Sequence, residues 1–173
     1  MGLGQMMLSV LAVGMLATVM LTVNTNVQDN NNAVQMSQYR IMASSLATSE
    51  IQRATGLAFD QNTVSAPVTS TSALTAAGAL GVETGEVDTV EDAFNDFDDY
   101  NNFHKWIKAD TIFFRSADFY IHAKVDYVTI TGNAIVTSSS QTYTKRIVVY
   151  VSSPYMGTDT ITASTLYSYW YFR

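Results

Sequence analysis

The first 28 residues, MGLGQMMLSVLAVGMLATVMLTVNTNVQ, contain no charged side chain, and the first charge in the chain is Asp29. No other feature limits the fold as strongly. The apolar stretch from Leu3 to Val23 is long enough to cross a bilayer as a helix, which takes about 20 apolar residues. It is too long for the apolar region of an ordinary secretory signal. It also lacks the basic segment with which such a signal opens, because no Lys or Arg occurs before Arg40. With no flanking bases, charge assigns no orientation across a membrane. The expectation is a processed chain whose basic leader has been removed.

Nothing stops this helix at Val23. The first proline is Pro67, and Gly56 is the first glycine after Gly14. The patch NTNVQDNNN is the weak point, since Asn is a poor helix former. Val27, Val34 and Ile41 fall seven apart, and Tyr39, Met42 and Leu46 form a second stripe, so the later half reads as amphipathic. One helix is predicted over residues 2–55, about 80 Å long at 1.5 Å per residue, with Gly56 as its stop. A plain membrane anchor with a stalk is one reading. Gly2, Gly4, Ser9, Ala12, Gly14 and Ala17 support another, in which the helix packs closely on copies of itself in an apolar setting.

Composition narrows what the remainder can do. Charged residues are 14% of the 173, below the usual quarter or so, so the chain has more surface to hide than a monomer of its size. The absence of cysteine removes disulfides, thiolate metal sites and cysteine nucleophiles together. A net charge of −6 argues against nucleic acid as a partner, because phosphate binding needs clustered Lys and Arg. The charge is also uneven. Residues 57–99 carry nine acids and no base, whereas residues 100–173 carry seven bases against four acids. These two regions should attract, within one chain or between neighbours.

Residues 57–80 form a Ser/Thr/Ala-rich stretch with Pro67 and read as a surface loop. No Asn-x-Ser/Thr sequon occurs. Thr69 to Ser72 offer hydroxyls for O-linked sugar, against the plainer reading of an unmodified loop. Residues 81–103 interleave eight carboxylates with Phe94, Phe97, Tyr100 and Phe103, a spacing that suits a helical turn or a folded loop with its rings inward. Asp96, Asp98 and Asp99 have three readings: calcium ligands, a solvated acidic face, or the partner of a neighbour's basic patch. The EF-hand pattern is absent, and no metal or cofactor is assigned.

From Thr111 the period becomes two. Phe119, Ile121, Ala123, Val125 and Tyr127 share one face, opposite Tyr120, His122, Lys124, Asp126 and Val128. Thr131-Gly132-Asn133 signals a turn. Further strands are expected within 134–138, over 145–151, and in the last segment after SSPYMGTD, giving an antiparallel meander of about four strands. His104 and His122 are the only histidines, and no Ser/His/Asp constellation, metal-ligand spacing, P-loop or nucleophile elbow accompanies them. The chain does not read as an enzyme. The predicted fold class is α+β: a long N-terminal helix, apolar then amphipathic, packed on a roughly four-stranded antiparallel sheet. The boundaries are 1–56 for the helix (1–23 its apolar core), 57–110 for a variable acidic loop and 111–173 for the sheet.

In order of elements and in two motifs, this chain resembles the type IV pilin superfamily, including the pseudopilins. MGLGQMMLSVLAVGMLATVM is similar to the start of a mature pilin, and DFDDYNNF at 96–103 is similar to an Asp-Asp-Tyr-Asn motif found before the sheet in some pilin-like proteins. Two positions depart from the family pattern. Gln5 stands where the family usually has Glu, and Thr22 where it has a helix-kinking proline. An amide avoids much of the desolvation cost of a buried carboxylate but gives up its charge. The C-terminal disulfide loop of many pilins cannot form, and its role would pass to the aromatic strand Leu166–Phe172.

The resemblance implies a structural subunit of an extracellular pilus-like filament, processed by a prepilin peptidase, methylated at its N-terminus and handled by pilus assembly machinery. Its partners would be copies of itself, with residence in the inner membrane before assembly and no nucleic acid. Assembly contacts are expected from Met1, Leu3, Gln5, Leu8, Leu11, Gly14, Leu16 and Val19, then from Val27, Val34 and Ile41. The acidic segment would meet a basic patch such as Lys145–Arg146 on another subunit. The alternatives are a minor pseudopilin of a secretion or DNA-uptake machine, and a membrane-anchored binding module or adhesin that never polymerises.

Overall fold

The computed structural model describes residues 2–109 and 117–169. The chain divides into two compact units, Met1–Gln38 and Tyr39–Arg173. Helix α1 runs over Leu3–Thr55, in agreement with the expected helix. The Asn-rich patch does not interrupt it, because Asn is only a weak helix former and neither Gly nor Pro lies nearby. The last turn tightens at the expected stop, where the Gly56 N–H donates to Arg53 O at 3.0 Å.

The first unit is the part of α1 up to Gln38. Its hydroxyls turn back on their own helix: Ser9 Oγ donates to Met6 O, Thr18 Oγ1 to Met15 O, and Thr22 Oγ1 to Thr18 O at 2.9 Å. An apolar environment leaves such groups no other partner. Thr22 keeps its backbone in the helix.

In the second unit, Ala43, Ala47 and Ala54 are fully buried, and Tyr39, Met42, Leu46 and Ile51 pack against the same core. The Tyr39, Met42, Leu46 stripe is therefore the covered one. Tyr39 also meets Tyr155 with ring centroids 5.4 Å apart, and Arg40 pairs with Asp159.

Among the described residues the antiparallel sheet has five strands: β1 His104–Ile107, β2 Phe119–Thr131, β3 Ala134–Thr137, β4 Thr144–Ser152 and β5 Thr160–Ser168. Their order is β1-β2-β4-β5, with β3 pairing on β2. The α+β class holds, and β1 is the strand beyond the expected four. Four residues are too few to announce a period of two. Along β2, Phe119, Ile121, Ala123, Val125 and Tyr127 are buried, as the alternation requires. Val128, expected on the polar face, is buried as well. It sits where β2 passes from β4 (Tyr127 opposite Lys145) to β3 (Val128 opposite Thr137). Gly132, at φ 62°, makes the β2–β3 turn that an L side chain would strain.

The four rings of the acidic segment point inward. Phe94 meets Tyr100 and Phe103 edge-on at 5.1 and 5.7 Å, geometry that aromatic quadrupoles favour. The C-terminal aromatics do the same from the sheet: Tyr167 lies 4.9 Å from Phe97, and its hydroxyl donates to Leu57 O at 2.9 Å. Tyr169 accepts from the Val68 N–H. Of the strand proposed to replace a disulfide, Tyr167 and Tyr169 tie the loop down in this way. Trp170, Tyr171 and Phe172 lie outside the described residues.

Candidate functional site

Two features stand apart from ordinary packing. The first is the surface of α1 ahead of the sheet. Every residue from Leu3 to Val23 is exposed, including Leu3 at 82%, Leu8 at 71% and Leu11 at 63%. The window is apolar enough to cross a membrane and has no buried part. Gln5 and Gly14 are exposed on the same segment, and an added Cβ at Gly14 would meet nothing. Leu16, Val19, Val27, Val34 and Ile41 are exposed too. Thus of the two stripes in the later half, Val27, Val34 and Ile41 remain uncovered. Met1 lies outside the described residues.

The second feature is a buried charge network under the sheet. Lys145 has no exposure and places its ammonium 2.8 Å from Asp60 Oδ2, 2.8 Å from Asp98 Oδ1 and 2.9 Å from Phe59 O. All three ammonium hydrogens are thereby used. The rings of Phe59 and Tyr127 flank it, with centroids 4.6 and 5.0 Å from the nitrogen. Asp60 is itself well served: its Oδ1 accepts from the N–H groups of Asn62 and Thr75 and from Thr75 Oγ1, and Tyr127 Oη lies 2.9 Å from its Oδ2. Burial alone would raise this carboxyl. The Lys145 charge and hydrogen bond, helped by Thr75, outweigh burial and hold it below the ordinary aspartate value.

Lys145 is therefore not available for the expected contact with the acidic segment of another subunit. Lys145 is spent inside its own chain, and Arg146 hydrogen-bonds Thr137 Oγ1 at 3.1 Å, with its guanidinium 3.6 Å from Asp126. The attraction between the acidic middle and the basic tail is, for Lys145, within one chain.

Asp96, Asp98 and Asp99 are likewise not a solvated face, because all three have no exposure. Asp96 Oδ1 accepts from the Asp98 N–H at 2.7 Å, and Asp99 Oδ2 from the N–H groups of Asn95 and Asp96 at 2.9 and 3.0 Å. Each therefore caps its own turn with one oxygen. The other oxygens, Asp96 Oδ2, Asp98 Oδ2 and Asp99 Oδ1, are buried without a hydrogen-bond partner, as are Glu83 Oε2 and Asn95 Oδ1. Glu83, Asp96 and Asp98 each bring an oxygen within 4.8 Å of the others', and so do Glu83, Glu86 and Asp99. Burial, followed by the neighbouring Asp98 carboxyl, pushes Asp96 up to about 10. Burial, then Asp99 and Asp98, pushes Glu83 up to about 7. Asp99 rises to about 6, burial and Glu86 prevailing over its two backbone bonds.

Sequence reading singled out Asp96, Asp98 and Asp99 and named Lys145 as a surface base, but it missed Asp60, the burial of Lys145 and the pairing of Glu83 and Glu86 with the aspartates. One local signal pointed to Lys145: it falls in phase with Ile147, Val149 and Val151, the inward face of β4. Another pointed to Asp60, which opens a capping box with Thr63. The histidines are peripheral. His122 lies half-exposed beside Tyr150, and His104 sits 3.7 Å from Asp88. Comparison with protein-family models, curated proteins and solved structures found no match to this chain.

Proposed function

We propose that this chain is a structural subunit of an extracellular helical filament of the type IV pilin kind. The observation that carries the reading is the uncovered apolar surface of Leu3 to Val23 on a helix whose later part is built into a folded α+β unit. A water-exposed surface of that kind demands a cover. Lipid supplies one before assembly, and neighbouring copies of the same helix supply the other. Gly2, Gly4, Ser9, Ala12 and Gly14 allow the close approach such packing needs. A repeated heterologous contact that does not close on itself yields a helix. Gln5 is the lone side-chain amide near the start of that surface, and it favours a second reading, a minor subunit whose packing does without a buried carboxylate.

Electron microscopy and peptide mapping of sheared cell-surface material test both readings. Filaments built mainly of this chain support the first. Filaments of another subunit carrying traces of this one support the second. A chain found wholly in the membrane fraction, with no filaments, overturns both and leaves an anchored module.

A further inference from the structure

We propose that Glu83, Glu86, Asn95, Asp96, Asp98 and Asp99 form a calcium site that ties residues 83–86 to the turn at 95–99. The argument starts from the five buried oxygens without partners on Glu83, Asn95, Asp96, Asp98 and Asp99. Buried acceptors are almost always satisfied, and a cluster of orphans marks a missing donor or cation. Three of the five belong to aspartates with no solvent exposure. These are the oxygens left over after each aspartate has used its other oxygen on a backbone N–H or on Lys145.

Distance and charge select the occupant. The oxygen triplets on Glu83, Asp96 and Asp98 and on Glu83, Glu86 and Asp99 each lie within 4.8 Å of one another. Oxygens that close together can share one shell about 2.4 Å from a calcium ion. Five carboxylates converge here, and Lys145, the ammonium that reaches Asp98, is shared with Asp60. Ionised together, these carboxylates would carry more negative charge than one shared ammonium offsets, which a divalent cation can balance. All candidate ligands are oxygens, which excludes the nitrogen and sulfur preference of zinc. Their irregular layout, with one glutamate common to both triplets, suits the flexible coordination of six to eight oxygens around calcium better than the strict octahedron of magnesium. The inference stands independently of the filament reading.

The test is thermal unfolding of the full chain in detergent micelles, at about pH 7.5, in EDTA and in about 5 mM CaCl2 or MgCl2. The expected result is a rise of about 3–8 °C in the midpoint with CaCl2 and a much smaller one with MgCl2. Glu83→Gln should abolish the calcium response while being no less stable than the parent in EDTA, because it removes one of the crowded carboxylates. Asp99→Asn is the second variant: its amide oxygen keeps the two backbone bonds, and its NH2 replaces the free oxygen. If neither variant folds, calorimetric titration of CaCl2 into the parent chain decides, a saturable heat supporting the site and its absence overturning it. No midpoint shift with CaCl2 would overturn the proposal in favour of carboxyls sharing protons. An equal shift with MgCl2 would overturn the choice of calcium.

Discussion

Lys145 Nζ lies 2.8 Å from Asp98 Oδ1, joining the start of β4 to a turn 47 positions earlier with neither side chain exposed. With Asp60 on the same ammonium, this pair holds three segments together: the chain after α1, the acidic turn and the sheet. Lys145→Met removes the cation and leaves two buried carboxylates unpaired. The expected loss is about 3–5 kcal/mol, read by chemical denaturation. A loss under about 1 kcal/mol would be the value of an exposed pair and would refute the burial argument.

Tyr127 closes the same network from β2. Its hydroxyl lies 2.9 Å from both Asp60 Oδ2 and Thr75 O. Burial, with the charge of Asp60, drives the phenol well above its ordinary value, so the proton stays on oxygen. Tyr127→Phe should cost about 1–3 kcal/mol by leaving a buried acceptor short of a donor. Unchanged stability in the same denaturation assay would show that the hydroxyl is dispensable.

Stability should fall as pH rises toward neutrality. Burial, then Glu91, raises Glu50 from 4.5 to about 7, and Glu83 moves from 4.5 to about 7 in the same sense. Asp96 and Asp99 are raised from 3.8 to about 10 and about 6. Each raised group binds more protons folded than unfolded, so its contribution is full below the ordinary value and disappears as pH passes the folded one. Asp60 works the other way: its lowered value contributes stability that is lost only in strong acid. In EDTA, the unfolding midpoint should be higher near about pH 5 than near about pH 8. A midpoint that climbs steadily across that interval would contradict the burial of these carboxyls.

A charge placed in the apolar segment should act on location and leave the folded unit alone. Leu11 is 63% exposed on α1, and an arginine near the centre of a spanning helix costs roughly 2.5–3.5 kcal/mol on insertion. Leu11→Arg is expected to reduce recovery in the membrane fraction and in filaments several-fold. The near-ultraviolet melt of the Tyr39–Arg173 unit, which holds the tyrosines and tryptophans, should stay unchanged. Undiminished membrane recovery would show that residues 3–23 do not serve as the span.

Much of this architecture was legible in short-range pattern. The bounds of α1 followed from an uninterrupted run ending at Gly56. The inward face of β2 followed from period two between Phe119 and Tyr127, and the inward rings of Phe94, Phe97, Tyr100 and Phe103 from their spacing. Each depends on neighbours within a turn or a pleat, which local sequence records. Strand β1 was not legible because its four residues gain their conformation from pairing with β2. The environment of Asp96, Asp98 and Asp99 was not legible either, since an acidic run looks the same whether solvent or a buried ammonium faces it.

Local pattern was enough for a long helix, apolar through Val23, followed by an antiparallel sheet with one apolar face. The sequence also places one amide, Gln5, near the start of that apolar run. It takes the closed fold to assign Lys145 to Asp60 and Asp98, 85 and 47 positions away, so that it is not offered to a neighbour. That fold alone set the spare carboxylate oxygens of Glu83, Asp96, Asp98 and Asp99 against one another. The physical reason is that a buried charge is tolerated only where chain closure brings its partners within hydrogen-bond reach. That closure is set by the register of β2, β4 and β5 and by the aromatic packing over them.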